Sequence, residues 1–108
     1  MENKNKDNGL KERVTLILKT IFDPEIPVNI YELGLIYKLE ANEGTGKVII
    51  DMTLTSPNCP VAESLPQEVK DKVVIVTGVS SVELNLVWDP PWGSDRMSDA
   101  AKLQLNIL

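Results

Sequence analysis

The sequence predicts an α+β fold: a two-layer α/β sandwich in the order α-β-β-α-β-α, with a small three-stranded sheet packed by helices. Three observations carry this. Leu35 to Glu40, Lys47 to Leu54 and Val82 to Trp88 alternate apolar and polar residues, the two-residue period of a half-buried strand. Two other stretches space their apolar residues three and four apart, one before the first strand and one between the second and third. The 108 residues suffice for one core and are too few for two.

The first helix is carried by Leu10, Val14, Ile17, Leu18 and Ile21, with Asp7 or Asn8 as its cap. Asp23-Pro24 is its expected stop, because a residue before proline is driven away from helical backbone. Residues 1–9 form a flexible N-terminal tail in this reading and 10–108 the domain. Pro24 and Pro27 bracket a stiff loop through Asn29. Ile30 to Gly34 makes a short turn in which Gly34 supplies a positive φ. Leu35, Tyr37 and Leu39 then alternate with Lys38 and Glu40. Asn42-Glu43-Gly44-Thr45-Gly46 is a hairpin-type connection. It leads to Val48, Ile50, Met52 and Leu54, an apolar face opposite Lys47, Asp51 and Thr53.

The next helix follows Val61, Leu65, Val69, Val73 and Val76. Pro60 takes its first position, where a missing N–H costs nothing. Pro66 either kinks the helix or delays its regular start, and Gly78 ends it. Val82, Leu84, Leu86 and Trp88 form the third strand. Asp89-Pro90-Pro91-Trp92-Gly93 is a rigid loop. Ser94 or Ser98 caps a last helix carrying Met97, Ala101 and Leu105 or Leu108.

Composition excludes much. The net charge of −5 and the isolated arginines, Arg13 and Arg96, give no basic stripe for phosphates, so no nucleic acid is expected as partner. No apolar run has the length of a membrane span. Met1 to Asn8 is polar and lacks a signal-peptide core. With no histidine, the chain cannot build a Ser-His-Asp or Cys-His nucleophile, nor a His-based zinc or iron site. The lone cysteine rules out an intrachain disulfide and fits a reducing cytoplasm, the expected location.

That cysteine, Cys59, lies between the second strand and the second long helix. Beside a helix N-terminus a thiol is exposed to unpaired N–H groups and a positive dipole, which favour thiolate. Glu63, in the expected first turn, opposes this, and no nearby cation compensates. A buried structural cysteine is the equal alternative. Asp23 and Glu25 set two carboxylates on one rigid loop, where they orient a thiol, bind a cation or contact a partner; the plainer reading has Asp23 ending a helix and Glu25 solvated. Trp88 to Gly93 reads either as a docking surface or as a lid on one end of the core, with Trp88 inside and Trp92 exposed.

Taken in order, Asp23-Pro24-Glu25-Ile26-Pro27-Val28-Asn29-Ile30, Leu33-Gly34-Leu35-Ile36-Tyr37, Thr53 through Cys59-Pro60, Gly78-Val79, Val87-Trp88-Asp89-Pro90-Pro91-Trp92 and Met97-Ser98 resemble the small iron–sulfur cluster assembly domain family. That family includes SufT-like and PaaD-like proteins. The resemblance implies an accessory role in iron–sulfur protein maturation, as a non-enzymatic adaptor or transient carrier. It puts the reactive cysteine on Cys59, which is also the one transient metal ligand, and the acidic loop on Asp23 and Glu25. Thr55 and Trp92 fall in the Thr53–Pro60 and Trp88–Trp92 elements and complete the implied site. No catalytic residue and no stably bound cofactor is implied, only an iron–sulfur cluster in passage. The implied partners are client apoproteins and cluster assembly components, with a homodimer useful for shared ligation. The alternative is a PaaD-like subunit of an aromatic-degradation oxygenase complex, against which stands the absence of further cysteines near the C-terminus. A single-thiol redox protein is a third reading, limited to a sulfenic acid or mixed disulfide for want of a second cysteine.

Overall fold

A computed structural model describes residues 9–24, 26–55 and 64–106. Glu25, Cys59, Pro60, Val61, Leu108 and the proposed caps Asp7 and Asn8 lie outside them. The elements are α1 (Leu10–Leu18), α2 (Ile30–Leu33), β1 (Ile36–Ala41), β2 (Lys47–Met52), α3 (Ser64–Val74), β3 (Ser81–Leu86), a 3-10 turn (Ser94–Arg96) and α4 (Asp99–Gln104). This is the expected α-β-β-α-β-α order with the Ile30–Gly34 turn wound into a one-turn helix.

The sheet runs β1-β2-β3. β1 and β2 are antiparallel across the 42–46 hairpin, and β2 and β3 are parallel because α3 makes the crossover between them. Asn42 builds the hairpin: its Oδ1 accepts from the N–H groups of Gly44 (2.8 Å) and Thr45 (3.1 Å), which fixes the turn. Val48, Ile50 and Met52 of β2 are fully buried, facing Leu10, Val14 and Leu18 of α1 and Leu65, Val69 and Val73 of α3. The other sheet face is polar apart from Ile49. Lys47 pairs with Glu83 (3.5 Å) and Asn85 donates to Asp51 (3.0 Å), exposed contacts of little energetic weight.

Several boundaries differ from the sequence pattern. α1 ends at Leu18, before Ile21, because the Ile21 carbonyl accepts from the Ile30 N–H (2.8 Å) and Phe22 bridges to Asn29. The residue that caps α1 is Gly9, with no side-chain cap bond. β1 starts at Ile36 and its register shifts between Ile36 and Lys38, a bulge that takes Tyr37 out of simple alternation. β3 stops at Leu86, leaving Trp88 beyond the sheet. Pro66 falls in the first described turn of α3. Gly34 has φ 86°, as its place required, and Ser98 rather than Ser94 caps α4, its Oγ accepting from the Ala101 N–H at 3.1 Å.

Candidate functional site

α2 is only one turn long, so its last carbonyls find no partner within the helix. The chain after β3 supplies them. The Leu33 carbonyl accepts from Trp92 Nε1–H at 2.9 Å, and the Glu32 carbonyl from the Ser98 N–H at 2.8 Å. The Tyr37 hydroxyl donates to the Pro90 carbonyl at 2.9 Å, and the Arg96 guanidinium lies over the Tyr37 ring at 4.6 Å. Residues 88–98 thereby form a strap anchored on the α2–β1 corner. The approach is close at Gly34: a Cβ there would fall on the Arg96 carbonyl oxygen.

Between this strap and the end of β2 lies a cavity of about 280 Å³ lined by Leu54, Thr55, Trp88, Pro91 and Trp92. Four of the five are apolar, so it suits an apolar group with Thr55 as its polar handle. The strap's other side walls a wider groove of about 580 Å³, lined by Gly34, Ile36, Tyr37, Pro90, Asp95 and Arg96. A further depression of about 630 Å³ lies at the hairpin end and carries none of the candidate residues.

The structure thus brings Thr55 and Trp92 together. Asp23 is not among the residues lining their cavity. It is 3% exposed within the loop after α1, where its Oδ1 accepts from the Ile26 N–H at 3.0 Å and its own N–H donates to the Val28 carbonyl at 3.3 Å. Glu25 and Cys59 are outside the described residues; Thr55 precedes Cys59 by four positions. Among the described residues no three Cys, His, Asp or Glu side chains converge as metal ligands.

The tryptophans exchange their expected roles. Trp88 is 43% exposed, whereas Trp92 is half-buried against the core. The cause is the indole hydrogen bond to Leu33, which draws Trp92 inward, while the strand that would have buried Trp88 has already ended. Thr53 is the residue that pattern reading misplaced. Assigned to the polar strand face, it is fully buried, and its Oγ1 has no hydrogen-bond partner among the described residues. β2 ends at Met52, and the Thr53 N–H donates instead to the Leu35 carbonyl at 2.8 Å, so strand alternation no longer governs it. No signal in the local sequence marks this.

Residues 11–84 match the family described as iron–sulfur cluster assembly protein. The chain is 45% identical over 98 residues to the Fe-S protein maturation auxiliary factor of Porphyromonas gingivalis, covering 91% of this chain and 92% of the relative. It is 41% identical over 101 residues to the Fe-S protein maturation auxiliary factor YitW of Bacillus subtilis, covering 94% and 98%. The crystal structure of a domain of unknown function, DUF59, from Bacillus anthracis superposes with a TM-score of 0.83 at 38% identity, over 92% of this chain and 93% of that one. The family match over residues 11–84 and this nearly end-to-end similarity converge: the chain belongs to the iron–sulfur cluster assembly protein family.

Proposed function

We propose that this chain is an accessory factor in iron–sulfur protein maturation, working in the cytoplasm as an adaptor or transient carrier through Cys59. The observation that carries the proposal is the near full-length similarity to a protein named as a maturation auxiliary factor. The stoichiometry of ligands supports it. A stable cluster generally takes four protein ligands, and this chain offers one thiol and no imidazole. The cluster is therefore cargo: Cys59 holds one iron corner, and a client or a small thiol supplies the rest. Such a chain passes a cluster on or holds donor and client together, and needs no catalytic group. The Thr55–Trp92 cavity, whose Thr55 wall runs in sequence toward Cys59, serves as the contact point for a partner's apolar side chain.

The test uses a strain lacking the wild-type gene, complemented with wild type, Cys59→Ala or Trp92→Ala, with activity and cluster content of iron–sulfur enzymes as readouts. Cys59→Ala should fall to the level of the empty strain while the variant still accumulates folded. Full restoration by Cys59→Ala would sink the cysteine-centred mechanism. Anaerobic affinity purification that recovered oxygenase subunits in place of cluster assembly components would sink the maturation role.

A further inference from the structure

The sheet has two edges of different character. β1 is blunted by the bulge between Ile36 and Lys38 and carries an exposed lysine there, both of which discourage pairing. β3 has neither safeguard. It pairs with β2 in unbroken register from Ser81 to Leu86, and among the described residues no strand pairs with its outer side. The direction of its backbone groups follows from its two ends. The Ser81 N–H donates to Gly46 (3.4 Å) and the Val87 N–H to Met52 (2.9 Å), both toward β2. Backbone groups alternate sides along a strand, so Val82, Leu84 and Leu86 turn their N–H and C=O to the open edge. The same three side chains lie on the core face yet are incompletely covered, Leu86 remaining 37% exposed.

We propose that this edge pairs with the β3 edge of a second copy, antiparallel about a two-fold axis at Leu84, making one continuous six-stranded sheet. The register is selected by the residues themselves. A two-fold requires like faces to meet, so only registers centred on a residue are allowed. Centred on Glu83, two carboxylates would stand opposite each other, which is destabilising. Centred on Leu84, Leu84 meets Leu84, Val82 meets Leu86, and Glu83 meets Asn85 of the other copy, an acceptor facing a donor. The three outward residues then exchange all their hydrogen bonds. The occupant is a second copy because the strand complements itself: its apolar and polar faces both match under the two-fold. The inference does not depend on the maturation role, although a dimer would bring two Cys59 thiols into one assembly.

Sedimentation of the full chain over a range of concentrations should give a species of twice the 12.0 kDa chain mass. Asn85→Glu, at an exposed position, opposes two pairs of carboxylates across the axis and should weaken dimerisation by about tenfold or more. Adding Glu83→Gln to it should restore the dimer. Hydrogen exchange supplies a reading that needs no variant: the amides of Val82, Leu84 and Leu86 should be protected at dimer concentrations and exchange freely on dilution, while Glu83 stays protected throughout. A chain that is monomeric at every concentration, a dimer indifferent to Asn85→Glu, or unprotected amides at those three positions overturns the proposal.

Discussion

Replacing Gly34 with alanine tests whether the strap is held by the α2–β1 corner. At φ 86° an L-residue is in the left-handed region, which costs about 1–2 kcal/mol by itself. The added Cβ would fall on the Arg96 carbonyl oxygen and lie 2.8 Å from the carbonyl carbon, both backbone atoms, so no side-chain rotation relieves the overlap. Residues 93–97 must move away. That motion strains the Trp92–Leu33 and Ser98–Glu32 hydrogen bonds, each worth about 1 kcal/mol. The sum is about 3–4 kcal/mol, which for a domain of this size is a fall in melting temperature of more than about 10 °C. Urea denaturation followed by circular dichroism measures it. Gly44→Ala is the control: its nearest neighbour is the Asn42 Oδ1 at 3.3 Å and its φ is not positive, so stability should stay within about 1 kcal/mol of the wild type. If Gly34→Ala unfolds within about 1 kcal/mol of the wild type, the corner does not anchor the strap as described.

Trp92→Phe keeps an aromatic ring but deletes the donor to Leu33, and should cost about 1–2 kcal/mol in the same denaturation assay; Trp88→Phe, at an exposed site, should stay within about 0.5 kcal/mol. Ser98→Ala removes the α4 cap and should lower stability by about 1 kcal/mol, read as a shift in urea midpoint at constant slope. Thr53→Val replaces a fully buried hydroxyl that has no hydrogen-bond partner among the described residues, so stability should hold or increase by about 1–2 kcal/mol. Equal stability with lost client maturation would assign that hydroxyl a role in the function rather than the fold.

The strands were legible because each has one face against a core: Val48, Ile50 and Met52 had to be apolar and their neighbours did not. Gly34 was legible because a left-handed residue between helix and strand has few alternatives to glycine. What escaped pattern reading depends on distant partners. The early end of α1 is set by Ile30 bonding to Ile21, the burial of Trp92 by a carbonyl 59 positions away, and the burial of Thr53 by Leu35. The meeting of Thr55 with Trp92 likewise joins residues with no common period. The ordered motifs pointed at these segments through resemblance, without giving the contacts that unite two of the site residues and hold Asp23 in its own loop.

The bonds from the strap to α2, together with that from Gln104 to the Pro27 carbonyl (3.0 Å), span most of the chain. On the ribosome, residues near the N-terminus emerge first, at about 5–20 residues per second. The corner at Ile30–Gly34 then waits, its carbonyls hydrated, until Trp92 and Ser98 have been made. Translation order therefore makes the Thr55–Trp92 cavity one of the last features to form. A nascent chain arrested after β3 would carry the sheet strands without a wall for a partner to recognise, so recognition through that cavity would be confined to chains synthesised past Trp92.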